Sequence, residues 1–506
     1  MVQTPQMPQI NAGFDFARFG DRVAVRDDMG RTICYRELDE FATTLKSVSG
    51  RALCVNLCED SIGALAGYAC MISARIVPLM LDSRLDSAAL DSLLGEYMPE
   101  LLWLPEQLKE RFLASSYTQE LARYGYALLR SPYHNGAPLH NELALLLSTS
   151  GSTGSSKMVR QSYENLKSNT ESIVQYLGID STQRAIVVLP LHYTFGLSVV
   201  NTHLYSGAML LLSESSLMQK PLWEFIKDSK ATSIAGVPYT YEMLKKLKFF
   251  DMHLPHLRVM TQAGGKLSPE LHREFATFAK EQGKAFIVMY GQTEATARMS
   301  YLPAHRALDK CGSIGVAIPD GEFSLLDSKR QRIEQAGVQG ELVYRGRNVA
   351  LGYAYDRASL SLGDELGGEL ETGDIAYKDS EGYYYIVGRK SRFIKMFGRR
   401  ISLDEVDTLL EREFLGVAGM ADMEAKCSGS DDRLCVFITQ ERGQKERNGE
   451  RSRECEKQCE KQCIEVRKFL CERLKLTPIA VKVRYVESLP RNSAGKILYS
   501  KLDNME

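Results

Sequence analysis

No excess of one charge marks this 506-residue chain: 63 Lys and Arg stand against 64 Asp and Glu, a formal net charge of −1. Without a global field the chain recruits neither nucleic acid nor an anionic membrane, so any anion it holds must be held by local donors. The amino terminus, Met1-Val-Gln-Thr-Pro-Gln-Met-Pro, lacks the basic region and apolar core of a secretory signal. No membrane span is expected either. The nearest apolar stretch, Ile62 to Leu81, carries Arg75 and Pro78 and reads as a buried helix running into a strand. The eleven cysteines contain no Cys-x-x-Cys hook. In a chain without a secretory signal they are expected as reduced thiols, and the cytoplasm is the expected compartment. Cys455, Cys459 and Cys463 recur every fourth residue in a charged stretch near 441–462. Tetrahedral zinc needs a fourth ligand, so an exposed charged helix or loose insertion is expected there, with no metal site.

The length points to two to four domains, and 44% hydrophobic with 25% charged residues is ordinary for a globular protein. From Arg184 to Tyr290 short apolar runs (185–189, 208–212, 232–235, 258–262 and 285–290) read as buried strands. Helical segments at 222–227, 239–247 and 269–280 fall between several of them. The last opens with Ser268 as N-cap and Pro269 at the first helical position, and carries Leu271, Phe275, Phe278 and Ala279 on one face. Such alternation predicts an α/β fold with parallel sheets, whose ligands gather at the carboxyl ends of strands. After Gly340 the pattern changes to short β segments at 341–345, 375–378 and 383–387. Beyond Arg389 a compact tail shows strands at 434–439 and 481–486 and a helix around 466–474.

The densest chemistry lies at Leu145-Leu-Leu-Ser-Thr-Ser-Gly-Ser-Thr-Gly-Ser-Ser-Lys157, a buried strand opening into hydroxyls and glycines. Glycines let backbone N–H groups converge on an anion. Ser148, Thr149, Ser150, Ser152 and Thr153 add donors, Gly151 and Gly154 add freedom, and Lys157 adds a cation. The loop suits a polyphosphate, yet it is not a Walker A loop, because its glycine–lysine spacing differs. Tyr290-Gly-Gln-Thr-Glu-Ala-Thr296, Thr372-Gly-Asp374, Gly388-Arg389 and Asn492-Ser-Ala-Gly-Lys496 follow in order. Together these motifs resemble the adenylate-forming superfamily of acyl-CoA synthetases, luciferases and peptide-synthetase adenylation domains. The resemblance runs from about Tyr35 to about Leu502.

The resemblance implies a large, multi-subdomain α/β adenylation domain over residues 1–389 and a smaller, mobile α+β domain over 390–506. It implies an enzyme that activates a carboxylic acid with ATP and Mg²⁺ and passes the acyl group to a thiol. In that reading Thr149 to Gly154 and Lys157 hold the β- and γ-phosphates, and Lys496 reaches the acid carboxylate and α-phosphate. Thr293 donates to the α-phosphate, and Glu294 is the Mg²⁺ ligand. Asp374 accepts from the ribose hydroxyls, and Arg389 contacts the sugar or a phosphate. Tyr290 and Gly291 begin the nucleotide turn, and Gly264 and Gly265 admit adenine and acyl group closely. Lys395 and Gly398 line the path of the thiol, which belongs to coenzyme A or to phosphopantetheine on a separate acyl carrier protein. Arg399 and Arg400 are equally suited to contacting that acceptor and to being surface charges.

Three departures stand out. The hinge position is Ser391, where relatives often carry Asp or Lys. Met158 follows Lys157, where relatives usually have glycine, and no histidine stands beside Tyr163. The acid pocket is expected around Leu189-Pro-Leu-His-Tyr-Thr-Phe-Gly196, with His192, Tyr193, Phe195, Tyr239, Tyr241 and Gln262 shaping it. No aspartate lies between Leu189 and Tyr205 to pair with a substrate ammonium, which argues for an acid without an α-amino group. The chain ends ten residues after Lys496, so no fused carrier domain is expected. The motif also resembles stand-alone ligases of bacterial surface-polysaccharide pathways. The open alternatives are delivery of the acyl-adenylate to an amine and a non-catalytic nucleotide-binding role.

Overall fold

The structure is a computed structural model and describes residues 14–133, 136–148, 157–396, 399–414, 425–430, 433–439, 453–492 and 497–503. The chain separates into two compact units: Met1–Ser324 with Val343–Leu370, and Leu325–Leu342 with Glu371–Glu506.

The first unit is built on two sheets. In the nine-stranded sheet six neighbouring strands run parallel, in the order Ala285–Tyr290, Val259–Gln262, Ser233–Gly236, Arg184–Val187, Met209–Leu212 and Val23–Asp27. The apolar runs between Arg184 and Tyr290 are thus parallel strands. They are buried on both faces, which is why they show no polar alternation. The eight-stranded sheet has a parallel centre of Leu143–Ser148, Val77–Asp82, Leu53–Cys58 and Leu101–Pro105. On one side Met158–Ser162 and then Gly352–Ala354 extend it antiparallel.

Two helices, Ile62–Ser73 and Thr194–Tyr205, have almost every residue buried; the first is apolar nearly all round, and the second carries buried Thr194, Ser198, Asn201 and Thr202 among its apolar side chains. A helix buried on every face is one covered on all sides. Here one continuous apolar cluster takes in both helices and side chains from both sheets. Ile62 to Leu81 is accordingly a buried helix followed by the strand Val77–Asp82. The helix Pro269–Glu281 starts where its cap demands, with Ser268 Oγ accepting from the Leu271 N–H at 3.2 Å. No helix among the described residues is long and apolar enough to cross a membrane.

In the second unit Glu369–Lys378 runs into it from Glu371 and pairs antiparallel with Tyr384–Arg389, setting Asp374 opposite Arg389. Its carboxyl-terminal part is α+β. A three-stranded sheet of Ala425–Ser430, Arg433–Ile438 and Val481–Tyr485 packs with the helices Leu403–Phe414 and Arg453–Leu474 around one apolar core. The second helix extends well upstream of the expected 466–474. Its Cys459 is buried and its Cys463 packs against the core, so this side of the cysteine stripe faces inward. The expectation of an exposed helix fails for these two residues because Val466 and Leu470 continue the same apolar face. Residues 440–452 lie outside the described ones, and no metal-holding cluster occurs among the described residues.

Candidate active site

The phosphate loop itself, Thr149 to Ser156, lies outside the described residues, as do Gly398 and Lys496. What flanks the loop is well placed. Ser148 ends the strand Leu143–Ser148, and Lys157 directly precedes Met158–Ser162. The Lys157 ammonium sits 3.5 Å from the centroid of the Tyr353 ring. Tyr353 lies opposite Val159 on the edge strand Gly352–Ala354. Its hydroxyl donates to Glu294 Oε1 at 3.0 Å. One tyrosine therefore brings together the lysine of the first motif and the glutamate of the second.

Glu294 belongs to a turn that follows the strand Ala285–Tyr290, in the other sheet. Three outside groups hold this turn. Gln161, fully buried, donates from Nε2 to the Thr293 carbonyl at 2.9 Å. The Ala350 N–H donates to the Glu294 carbonyl at 2.8 Å, and Asn348 Nδ2 to the Ala295 carbonyl at 2.8 Å. At Gly291 an added Cβ would stand 1.7 Å from the Ala297 carbonyl oxygen, so only glycine closes the turn. Tyr290 is half-buried, with its hydroxyl 3.2 Å from Gln292 Nε2, and Thr293 is buried. Among the described residues no cation forms an ion pair with Glu294. Its carboxylate accepts from a neutral donor, the Tyr353 hydroxyl. That fits Mg²⁺, which takes one or two carboxylates together with phosphate oxygens.

A second group lies around the expected acid pocket. Gly264 has φ +82°, and a Cβ there would meet the Tyr193 hydroxyl at 2.5 Å, so Tyr193 closes directly onto the Gly264–Gly265 turn. Burial raises the Tyr193 phenol to about 12, keeping it neutral. His192 stands 3.8 Å from Asp82 at the end of the strand Val77–Asp82. Burial lowers its pKa, with Asp82 opposing and Arg84 reinforcing the shift. Two further expected wall residues have contrasting surroundings. Tyr241 is fully buried between Phe275 and Phe286, with its hydroxyl donating to the Thr261 carbonyl, and Tyr239 is exposed. Both fall on the helix Pro238–Lys246, one on its core face and the other on its solvent face. Gln262 is buried, and its Nε2 donates to the Gly265 carbonyl at 2.9 Å.

In the second unit Asp374 is buried and pairs with Arg389, Nε to Oδ1 at 3.2 Å. Lys395 lies on the strand Phe393–Met396, opposite Arg400. A group that the motifs do not announce sits between them. Arg392, next to Ser391, pairs with Asp404 at 2.6 Å and with Asp407 at 2.9 Å, and lies over the ring of Tyr499 at 3.6 Å. Tyr499 donates to Asp407, and Asp404 also accepts from the Arg389 N–H. This network joins the segment Arg389–Arg392 to a residue three positions after Lys496. Tyr353 and Arg392 are among the residues missed from sequence. The only signals were a Gly-Tyr pair and a charge in a basic run.

Parallel sheets whose strand ends gather a lysine, a glutamate and glycine-closed turns define a nucleotide-handling α/β protein. Residues 14–354 match the family model described as AMP-binding enzyme, and the chain belongs to that family. It is 24% identical over 471 residues to 2-succinylbenzoate–CoA ligase of Listeria monocytogenes serotype 4b (strain F2365), spanning 92% of this chain and 93% of the relative. It is 30% identical over 359 residues to oxalate–CoA ligase of Arabidopsis thaliana, spanning 70% and 66%. The fold is similar to that of o-succinylbenzoate CoA synthetase from Bacillus subtilis in complex with its acyl-adenylate intermediate. The TM-score is 0.73 at 20% identity, covering 98% of both chains. Benzoate CoA ligase from Burkholderia xenovorans LB400 gives 0.71 at 21%, covering 96% of this chain and 98% of that one.

Proposed function

We propose that this protein is an ATP-dependent acid–thiol ligase. The observation that carries the reading is the triad of Lys157, Tyr353 and Glu294, which joins a cation and an unneutralised carboxylate at strand ends of two sheets. In the first step a carboxylate oxygen of the acid attacks the α-phosphorus of ATP. The new O–P bond forms as the bond to the β-phosphate oxygen breaks, and pyrophosphate leaves. Both reactants are anions, so the site must supply positive charge and exclude water. Lys157 and the loop Thr149–Gly154 take the β- and γ-phosphates, Thr293 the α-phosphate, and Asp374 with Arg389 the ribose. Glu294 would hold Mg²⁺, which when bound neutralises phosphate charge. In the second step the thiol sulfur attacks the acyl carbonyl, its proton is lost, and AMP departs.

The chain divides functionally at Arg389–Lys390. The segment 390–506 brings Lys496 to the acid for adenylation, then presents Lys395 and Gly398 to the thiol. Coenzyme A is the preferred acceptor, since the relatives named above are CoA ligases; a separate acyl carrier protein is the alternative. The acids of two of them, 2-succinylbenzoate and oxalate, have no α-amino group, in keeping with the missing aspartate between Leu189 and Tyr205. ATP and coenzyme A are met in the cytoplasm, the compartment this reading assigns.

ATP–pyrophosphate exchange across short, aromatic, hydroxy, amino and long-chain acids, without thiol, tests the first step. Exchange confined to acids lacking an α-amino group is the expected result; silence across the panel, with ATP shown to bind, would overturn the reading. Thioester formation on adding coenzyme A, compared with carrier proteins and amines, then identifies the acceptor.

A further inference from the structure

Arg298, four residues after Glu294, is 2% exposed and has no acidic partner. No carboxylate of the described residues pairs with its guanidinium. Nη1 reaches only neutral groups, the Tyr176 hydroxyl and the Met289 sulfur, both at 3.3 Å, and Nε is buried without any hydrogen-bond partner. Its backbone is pinned from both sides: the N–H donates to Asn169 Oδ1, and the carbonyl accepts from Asn169 and Asn348. The backbone from which the side chain projects is therefore fixed. A guanidinium is a permanent cation, and burying one uncompensated is strongly unfavourable. Proteins carry such a charge where an anion arrives to complete it.

The position names the anion. The Arg298 Cζ lies 5.0 Å from the ring centroid of Phe195, two residues beyond Tyr193 in the segment expected to shape the acid pocket. The other titratable groups against it are neutral. Tyr176 is stacked on Tyr301 with centroids 4.2 Å apart, and His203 is buried with Nδ1 at the Val199 carbonyl.

Resting on the adenylation reading, we infer that Arg298 receives a second carboxylate at the far end of the acid, so that the preferred substrates are dicarboxylic acids. A site built for an ion rejects the analogue that lacks it, because the buried partner is then left alone.

The test is ATP–pyrophosphate exchange with pairs of acids matched in length and ring content, one member ending in methyl and the other in carboxylate. Wild-type protein is expected to favour the dicarboxylic member by about 100-fold or more in kcat/KM. Arg298→Met should reduce that ratio to about tenfold or less, while Arg298→Lys retains more of it than Met does. Exchange with monocarboxylic acids alone, or without preference, would overturn the inference and leave adenylation standing. A dicarboxylate preference that survives in both variants would overturn the role of Arg298. Silence with every acid would remove the adenylation reading and this inference together. The wild-type comparison does not depend on either variant folding.

Discussion

Tyr353 carries two contacts that substitution can separate. Tyr353→Phe keeps the ring beside the Lys157 ammonium but removes the hydroxyl that donates to Glu294. The Mg²⁺ concentration for half-maximal exchange is expected to rise about tenfold or more, with little change in KM for ATP. Tyr353→Leu removes the ring as well and should also raise KM for ATP. Equal effects of the two variants on both parameters would argue for a merely structural tyrosine. His203 offers a second measurement. Burial lowers its imidazole to about 4, whereas an unfolded histidine titrates near ~6.5. Between those values the unfolded chain takes up a proton that the folded one refuses, so stability falls as the pH drops and is fully present above the window. His203→Gln should flatten the acid limb of stability against pH by up to about 3 kcal/mol; an unchanged limb would mean that other groups produce it. Glu294 and Lys157 were legible in sequence from their motifs. Tyr353 and Arg298 were not, because their importance lies in contacts with residues up to some 200 positions away, which no local pattern records.

Among the elements, the turn from Tyr290 to Thr296 is the most demanding. It is closed by a glycine with no room for a methyl group and is held by Gln161 from one strand and by Asn348 and Ala350 from one further segment. Gly291→Ala must displace the Ala297 carbonyl and with it Thr293 and Glu294. Exchange should fall by about 100-fold, since small misplacements at a reacting centre cost that much. Melting temperature should fall only modestly; loss of folding with no specific effect on turnover in the surviving protein would contradict this. Strands and helices between Arg184 and Tyr290 were readable because apolar runs report burial, and Ser268-Pro269 reports a helix start. The inward turn of Cys459 and Cys463 was not readable. A stripe of small apolar side chains in a charged stretch does not say what covers it.

For the whole molecule, the proposed division of labour predicts that the two half-reactions respond differently to one substitution. Lys496→Ala should lower acid-dependent exchange by about 10²–10³-fold, because it removes a charge needed where the acid meets the α-phosphate. Thioester formation from a supplied acyl-adenylate and coenzyme A should persist. Equal loss of both would place Lys496 elsewhere in the cycle.

By itself the sequence determined the class of fold and the family, and it singled out Lys157 and Glu294 as the proposed charged anchors. These depend on local matters: burial periodicity, glycine where the backbone must bend, and short motifs in order. Only the tertiary structure decided that the two anchors stand at the ends of different sheets and are joined through Tyr353. It alone showed that Arg392 ties the segment after Arg389 to Tyr499, and that Arg298 is buried beside Phe195 without an anion. Pairing of charges and choice of sheet neighbour are long-range properties. The energy that sets them belongs to the contact, and the contact exists only once the chain has folded.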